Sequence, residues 1–166
     1  MATQGCPCGY FGDPSHHCTC GPLAIERYRS RISGPLLDRI DIHLEVPAVA
    51  YGDLVGDQSG EPSGTIRGRV EQAREIQRLR FREQRGVHAN AHMSTRDLRR
   101  HCRLSAPVES VLRQAVTRLG LSARAYHRVL KIARTIADLA ETAELSTAHV
   151  GEAIQYRSLD RKTQFA

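Results

Sequence analysis

The stretch Leu121-Ser122-Ala123-Arg124-Ala125-Tyr126-His127-Arg128-Val129-Leu130-Lys131-Ile132-Ala133-Arg134-Thr135-Ile136-Ala137-Asp138-Leu139 decides the fold. Ala125, Val129, Ile132, Ala133 and Ile136 recur at the three-to-four spacing of one helical face. Ser122 stands where a hydroxyl can accept from a free N–H of the first turn. Arg124, Arg128 and Lys131 follow one another at i, i+4 and i+7 and form a cationic stripe on the other side. A helix with one apolar face must bury it against neighbours. The stretch therefore predicts a helical bundle, and the flanking sequence supplies the other members.

Downstream, Ser146 is placed to cap a last helix running to about Leu159. Upstream, Ser105 opens a helix to Leu119 that Gly120 ends, and Ser94-Thr95-Arg96-Asp97 reads as a capping box with Asp in the fourth place, opening a short helix to about Cys102. Thr65 to Arg85 carries Ile66, Val70, Ala73, Ile76 and Leu79 at helical spacing, and Gly86 stops it. Glu71 with Arg74, and Glu75 with Arg78, are placed to pair along its outside. Residues 48–64 have the Gly, Pro, Ser and acidic composition of a linker. Ahead of it the pattern changes period. Ile40-Asp41-Ile42-His43-Leu44-Glu45-Val46 alternates apolar and polar, which predicts a strand, and Pro47 ends it. Leu36 to Arg39 reads as one helical turn, and Pro22 to Ile32 as a helix with proline in its first turn. Residues 1–21 read as a loop punctuated by Gly and Pro. The fold class expected is mainly α: one strand and short helices over residues 1–47, a linker over 48–64, and a helical bundle over 65–166. A strand has no stability alone, so Ile40–Val46 asks for a sheet that this chain barely supplies.

The chain has 166 residues, a net charge of +6, 40% hydrophobic residues and no Trp, so its core must be aliphatic. Lys131 and Lys162 are its only lysines, and the positive charge is arginine. Arginine in this quantity fits either a phosphate-binding surface or helices solvated by ion pairs with Glu71, Glu75, Asp97 and Asp138. No apolar run approaches the roughly 20 residues that span a bilayer. The start lacks the basic and apolar regions of a signal peptide, which makes the cytosol the expected compartment and membrane partners unexpected. Four of five cysteines lie within the first 20 residues. Cys6-Pro7-Cys8 and Cys18-Thr19-Cys20 form two Cys-x-Cys pairs able to enclose a tetrahedral Zn²⁺, with His16 and His17 as substitutes. Cys102 stands alone and is expected to be buried.

Three stretches together carry a family resemblance: Cys6-Pro7-Cys8-Gly9-Tyr10-Phe11-Gly12-Asp13-Pro14, Tyr28 through Ser33-Gly34-Pro35-Leu36-Leu37-Asp38-Arg39-Ile40-Asp41, and Leu121 through Leu139. They closely resemble the magnesium chelatase-like AAA+ ATPases of the YifB/ComM type, over essentially the whole chain. The resemblance implies the tail of a AAA+ α/β core followed by a helical lid, a homo-oligomeric (hexameric) ring when full length, ATP and Mg²⁺ as cofactors, and DNA as partner. The best understood members act in DNA branch migration during natural transformation. It further implies that Arg39 is the arginine finger and Arg124 the second sensor arginine of the lid. The family places an Asn, its first sensor, just before Cys-Pro-Cys-Gly; Gln4 is near that place here. Read without the resemblance, Arg39 is a surface residue that pairs with Asp38 or Asp41. A P-loop needs a Gly-rich turn followed by Lys-Ser/Thr, and neither lysine has that context; no apolar strand ends in Asp-Glu either. The chain alone is therefore not expected to hydrolyse ATP. Two other functions stay open: a stand-alone zinc-stabilised helical module that binds nucleic acid, and part of a metal-chelatase subunit.

Overall fold

The computed structural model describes residues 2–49, 51–52 and 60–157. They fall into two compact units, residues 1–40 with 44–58, and residues 41–43 with 59–166.

In the first unit, α1 spans Pro22–Arg29 and α2 Gly34–Leu37, each with a proline at its start. A first-turn N–H has no helical partner, so proline costs nothing there. Neither helix buries a residue. Cys6 is the one apolar side chain of this unit that is buried among the described residues.

The second unit is the predicted bundle: α3 (Ser63–Phe81), a 3₁₀ turn (Asn90–His92), α4 (Thr95–His101), α5 (Ala106–Leu119), α6 (Ala123–Leu139) and α7 (Thr147–Gln155). Helix α6 is its centre, packing against α3, α4, the 3₁₀ turn and α7. Its Val129, Leu130, Ala133 and Ala137 meet Phe81, Leu98, Leu112, Val150 and Ile154 in one cluster. The caps read from sequence are present. The Ala125 N–H donates to Ser122 Oγ at 3.1 Å. The Asp97 N–H donates to Ser94 Oγ at 3.3 Å, and the Ser94 N–H returns a bond to Asp97 Oδ2 at 2.9 Å. At Ser146 the returning acceptor is His149 Nδ1, at 3.2 Å. Gly120 ends α5 with φ 60°, the left-handed conformation in which a Cβ would be crowded.

Three expectations need correction. Ile40–Val46 forms no strand among the described residues, and bends at Asp41. A strand exists through its ladder, and here the His43 N–H bonds to the Tyr156 carbonyl at the end of α7, at 2.7 Å, instead of to a sheet neighbour. Leu44 and Val46 remain exposed. The second correction concerns α3. Its buried edge is Ala73, Gln77 and Phe81, while Ile66, Val70 and Leu79 are exposed. Only the C-terminal half lies on the bundle, and Gln77 accepts the Asn90 N–H there at 3.1 Å, which fixes the rotation. Of the outer pairs, Glu75–Arg78 forms. Third, the last helix ends at Gln155 rather than near Leu159; residues 158–166, with Lys162, lie outside the described residues, as do 50 and 53–59 of the linker. No helix among the described residues is long and apolar enough to cross a membrane.

Candidate functional site

The cysteine loop is built by two tight turns. The Gly9 N–H donates to the Cys6 carbonyl at 3.2 Å, with Gly9 at φ 87°. Asp13 Oδ1 then accepts from the Ser15 and His16 N–H groups at 2.7 and 3.0 Å, which turns the chain back. This brings all four thiols, Cys6, Cys8, Cys18 and Cys20, within 4.8 Å of one another. Cys6 and Cys8 Sγ are 3.3 Å apart, and each lies 3.6 Å from Cys18 Sγ. A Zn–S bond of about 2.3 Å in a tetrahedron gives sulfur–sulfur edges of about 3.8 Å. The thiols thus already stand near the spacing of a tetrathiolate site. The histidines take no part in it: His16 stacks on Tyr10 with centroids 4.8 Å apart, and His17 is exposed.

The crowding separates the thiols' acidities. Cys8 is held down to about 6, first by the Tyr10 backbone N–H and then by the Cys6 thiol. For Cys18 the Cys20 backbone N–H favours the thiolate, but burial and the bonds to Cys8 and Cys6 outweigh it and push the thiol up to about 12. One thiolate forms readily and resists the others, which is the electrostatic setting that a divalent cation relieves.

Sequence reasoning missed what anchors this loop. Arg29 of α1 lays its guanidinium over the Phe11 ring, 4.6 Å from the centroid, and donates from Nε to the Gly5 carbonyl at 3.2 Å. Cation–π and carbonyl contacts from one side chain thereby tie the loop to α1. Leu23, Ile25 and Tyr28 suggested an inner face for α1, but the helix buries none of them, and Arg29, seven residues from its start, makes the anchoring contacts instead.

Of the other candidates in this unit, Gln4 is exposed, in the segment leading into the loop. Arg39 is exposed in the turn after α2, where its N–H bonds to the Leu36 carbonyl at 3.0 Å.

In the second unit, Arg124 occupies the second position of α6, is exposed, and stands beside the Ser122 cap. The other two cations of the stripe have identified partners. Arg128 ion-pairs with Asp41, and Lys131 donates to the Ala91 carbonyl at 2.7 Å. Two cations of the stripe thus tether neighbouring chain, and Arg124 stands at the helix N-terminus, where first-turn N–H groups favour an anion.

A buried polar cluster crosses the same helix. The Asp138 carboxylate, with 0% side-chain exposure, accepts from Arg80 at 2.5 and 2.7 Å, from Asn90 Nδ2 at 2.7 Å and from Arg134 Nε at 3.1 Å. Arg134 gives its remaining donors to the Ala143 carbonyl, at 2.6 Å, and to the Thr142 carbonyl. The sequence reading took Asp138 as one of the acids that solvate surface arginines; the structure buries it instead. Its position beside Ala133 and Ala137, on the apolar arc of α6, was the overlooked signal. Cys102 is buried as expected, and burial pushes its thiol up to about 11.

Comparison with known proteins places these features. Residues 60–157 match the family described as magnesium chelatase, subunit ChlI C-terminal, and residues 1–54 match magnesium chelatase, subunit ChlI. Competence protein ComM of Haemophilus influenzae is 39% identical over 160 residues, 95% of this chain and 30% of that protein. YifB of Escherichia coli is 38% identical over 156 residues, 93% of this chain and 29% of that protein. A Mycobacterium bovis protein, Mb2921c, is 35% identical over 157 residues, with 95% and 30% covered. The chain thus spans about 30% of the length of these relatives. With both family models matched in order and ComM and YifB aligned over nearly all of it, the chain belongs to the magnesium chelatase family and is of the ComM/YifB kind.

Proposed function

We propose that this chain is the finger-and-lid part of a ring-forming, ATP-driven motor that works on DNA in the cytoplasm, serving a nucleotide and Mg²⁺ held by other parts of the ring. The observation that carries the reading is the place of Arg124, exposed in the first turn of α6 beside the Ser122 cap. A guanidinium at a helix N-terminus combines fixed dipoles with charge-assisted donors, the combination that suits a phosphate group. In this reading Arg124 contacts nucleotide from the same subunit, as a second sensor. Arg39, exposed at a helix-terminated turn, acts across a subunit boundary on charge developing in the transferring phosphoryl group. Gln4 stands at the first-sensor place. Zn²⁺ held by Cys6, Cys8, Cys18 and Cys20 closes a loop that has no core of its own, so metal binding supplies its folding energy.

The test grafts this chain into ComM of Haemophilus influenzae in place of the region it matches. In the graft, Arg39→Ala lowers kcat about 10³-fold or more with ATP binding nearly intact. Arg124→Ala weakens ATP binding roughly ten- to a hundred-fold, and Arg128→Ala does not. Equal, small effects of Arg124→Ala and Arg128→Ala on ATP affinity would remove the sensor role, and a binding defect without a kcat defect in Arg39→Ala would remove the finger. The matched family models carry the name magnesium chelatase, which favours a chelatase subunit as the second reading; ATP turnover by the graft that responds to DNA separates the two.

A further inference from the structure

We infer that the outer edge of α4, with Arg96, Arg99 and Arg100, continued by Arg103 just past its end, is a contact surface for the phosphate backbone of a nucleic acid. The inference rests on the DNA reading above and assigns it a place. Arg96, Arg99 and Arg100 fall at i, i+3 and i+4, so they share one face of α4, and all four arginines are exposed. The inward face is Leu98 and Cys102, both buried in the core cluster. Like charges at these spacings weaken a helix, so the stripe works against the stability of the element that carries it.

These arginines converge on one edge with no exposed acid among them. The one carboxylate in α4 is Asp97, which is buried and committed to the Ser94 cap. Among the described residues none of the four makes an ion pair, nor do Arg67, Arg74 and Arg118, which stand apart from one another, whereas Arg69, Arg78, Arg82 and Arg113 pair with Glu61, Glu75, Glu83 and Glu109. Arg100 and Arg103 also line a cleft of about 660 Å³, together with Arg80, Arg134, Glu141 and Glu144. Arg80 and Arg134 share the single carboxylate of Asp138, so the cleft keeps a positive balance even against those two acids. The helix rises about 1.5 Å per residue, which sets Arg96 and Arg100 about 6 Å apart along the axis, close to two nucleotide steps of about 3.4 Å. Arginine suits phosphate through its fixed fork of donors. A contact confined to the phosphate backbone carries no base information, so the binding is independent of sequence.

The experiment measures binding of the whole chain to a fluorescein-labelled 30-base-pair duplex by anisotropy, from 50 to 300 mM NaCl. The comparison is the charge-removed variant Arg96→Gln, Arg99→Gln, Arg100→Gln, Arg103→Gln, with the control Arg69→Gln, Arg113→Gln. The pair Arg99→Gln, Arg100→Gln serves if the fourfold variant does not keep the native circular dichroism. Four phosphate contacts contribute about 3.6 to the slope of log K against log salt, at about 0.9 each. The fourfold variant is expected to bind at least about tenfold more weakly at 50 mM NaCl and with a slope shallower by about 3.6, and the pair by about half that slope. The control keeps the wild-type values. Unchanged affinity and slope in the variant, with the wild type binding, would overturn this surface and leave the DNA reading intact. No binding by the wild type at 50 mM NaCl would overturn both. Equal binding of poly-glutamate, lost in the same variant, would mark the edge as a site for acidic protein and overturn the nucleic-acid assignment.

Discussion

Replacing Asp138 with Ala should unfold much of the second unit's stability in one step. The carboxylate is fully shielded and accepts from Arg80, Arg134 and Asn90. Arg80 keeps some access to water, with 13% of its side chain exposed, and can turn outward; Arg134, at 2%, cannot. Removal of Asp138 therefore leaves one guanidinium buried with only two carbonyl partners. Breaking a buried pair in this way costs about 3–5 kcal/mol. A domain of this size holds about 5–15 kcal/mol in all, and each kcal/mol is about 4–8 °C in Tm. The expected fall in Tm is at least about 12 °C, read by circular dichroism at 222 nm and repeated as a urea titration with unchanged m-value. Arg80→Ala is the internal comparison. It leaves Asp138 paired with Arg134 and should cost clearly less. The reasoning is refuted if Asp138→Ala costs under about 1 kcal/mol, the range of an exposed pair, or if Arg80→Ala costs as much.

Three further outcomes are expected. Elemental analysis of protein purified under reducing conditions without added metal should find about one zinc per chain, and less than a tenth of an equivalent would count decisively against the tetrathiolate site. Calorimetry with Mg-ATP should show no saturable binding to the chain alone, because its sequence has no P-loop; a micromolar isotherm would contradict this. Ser94→Ala should cost about 0.5–2 kcal/mol at pH 7. The bonds from Ser94 hold the Asp97 carboxyl below its ordinary range, so that stabilisation is present above the unfolded carboxylate pKa and lost as pH falls through the folded one. The gap between wild type and Ser94→Ala should therefore narrow in denaturation at pH 3; a gap that stayed constant would place the effect elsewhere.

The helices of the second unit were legible because their signals are local. Ser94, Ser122 and Ser146 each act within three residues, and Gly120 takes the left-handed conformation that its place after α5 called for. The four cysteines were legible for the same reason, two close pairs joined by a short loop. What failed depended on partners distant in sequence. Ile40–Val46 has the alternation of a strand, but alternation cannot supply the neighbour a ladder requires, and Asp41 and His43 instead engage α6 and the end of α7. The inner edge of α3 was misread because Ile66, Val70 and Leu79 are apolar, while the position that sets its rotation is a glutamine bonded to Asn90. Arg134 and Asp138 look like any i, i+4 surface pair until Arg80, more than fifty residues away, is brought beside them. The roles of Arg39, Arg124 and Gln4 came from resemblance alone.

Cys6 is the only buried apolar side chain of the first unit among the described residues, and that has a calorimetric consequence. Heat capacity rises on unfolding in proportion to apolar surface newly met by water. The bundle of roughly 100 residues should contribute about 1.2–1.5 kcal/mol/K at the usual 12–15 cal/mol/K per residue. The first unit should add almost nothing to it. Heated without metal, the chain should thus show one endotherm whose heat-capacity step is that of a protein little more than half its length, while the cysteine loop loosens without a thermal signature of its own.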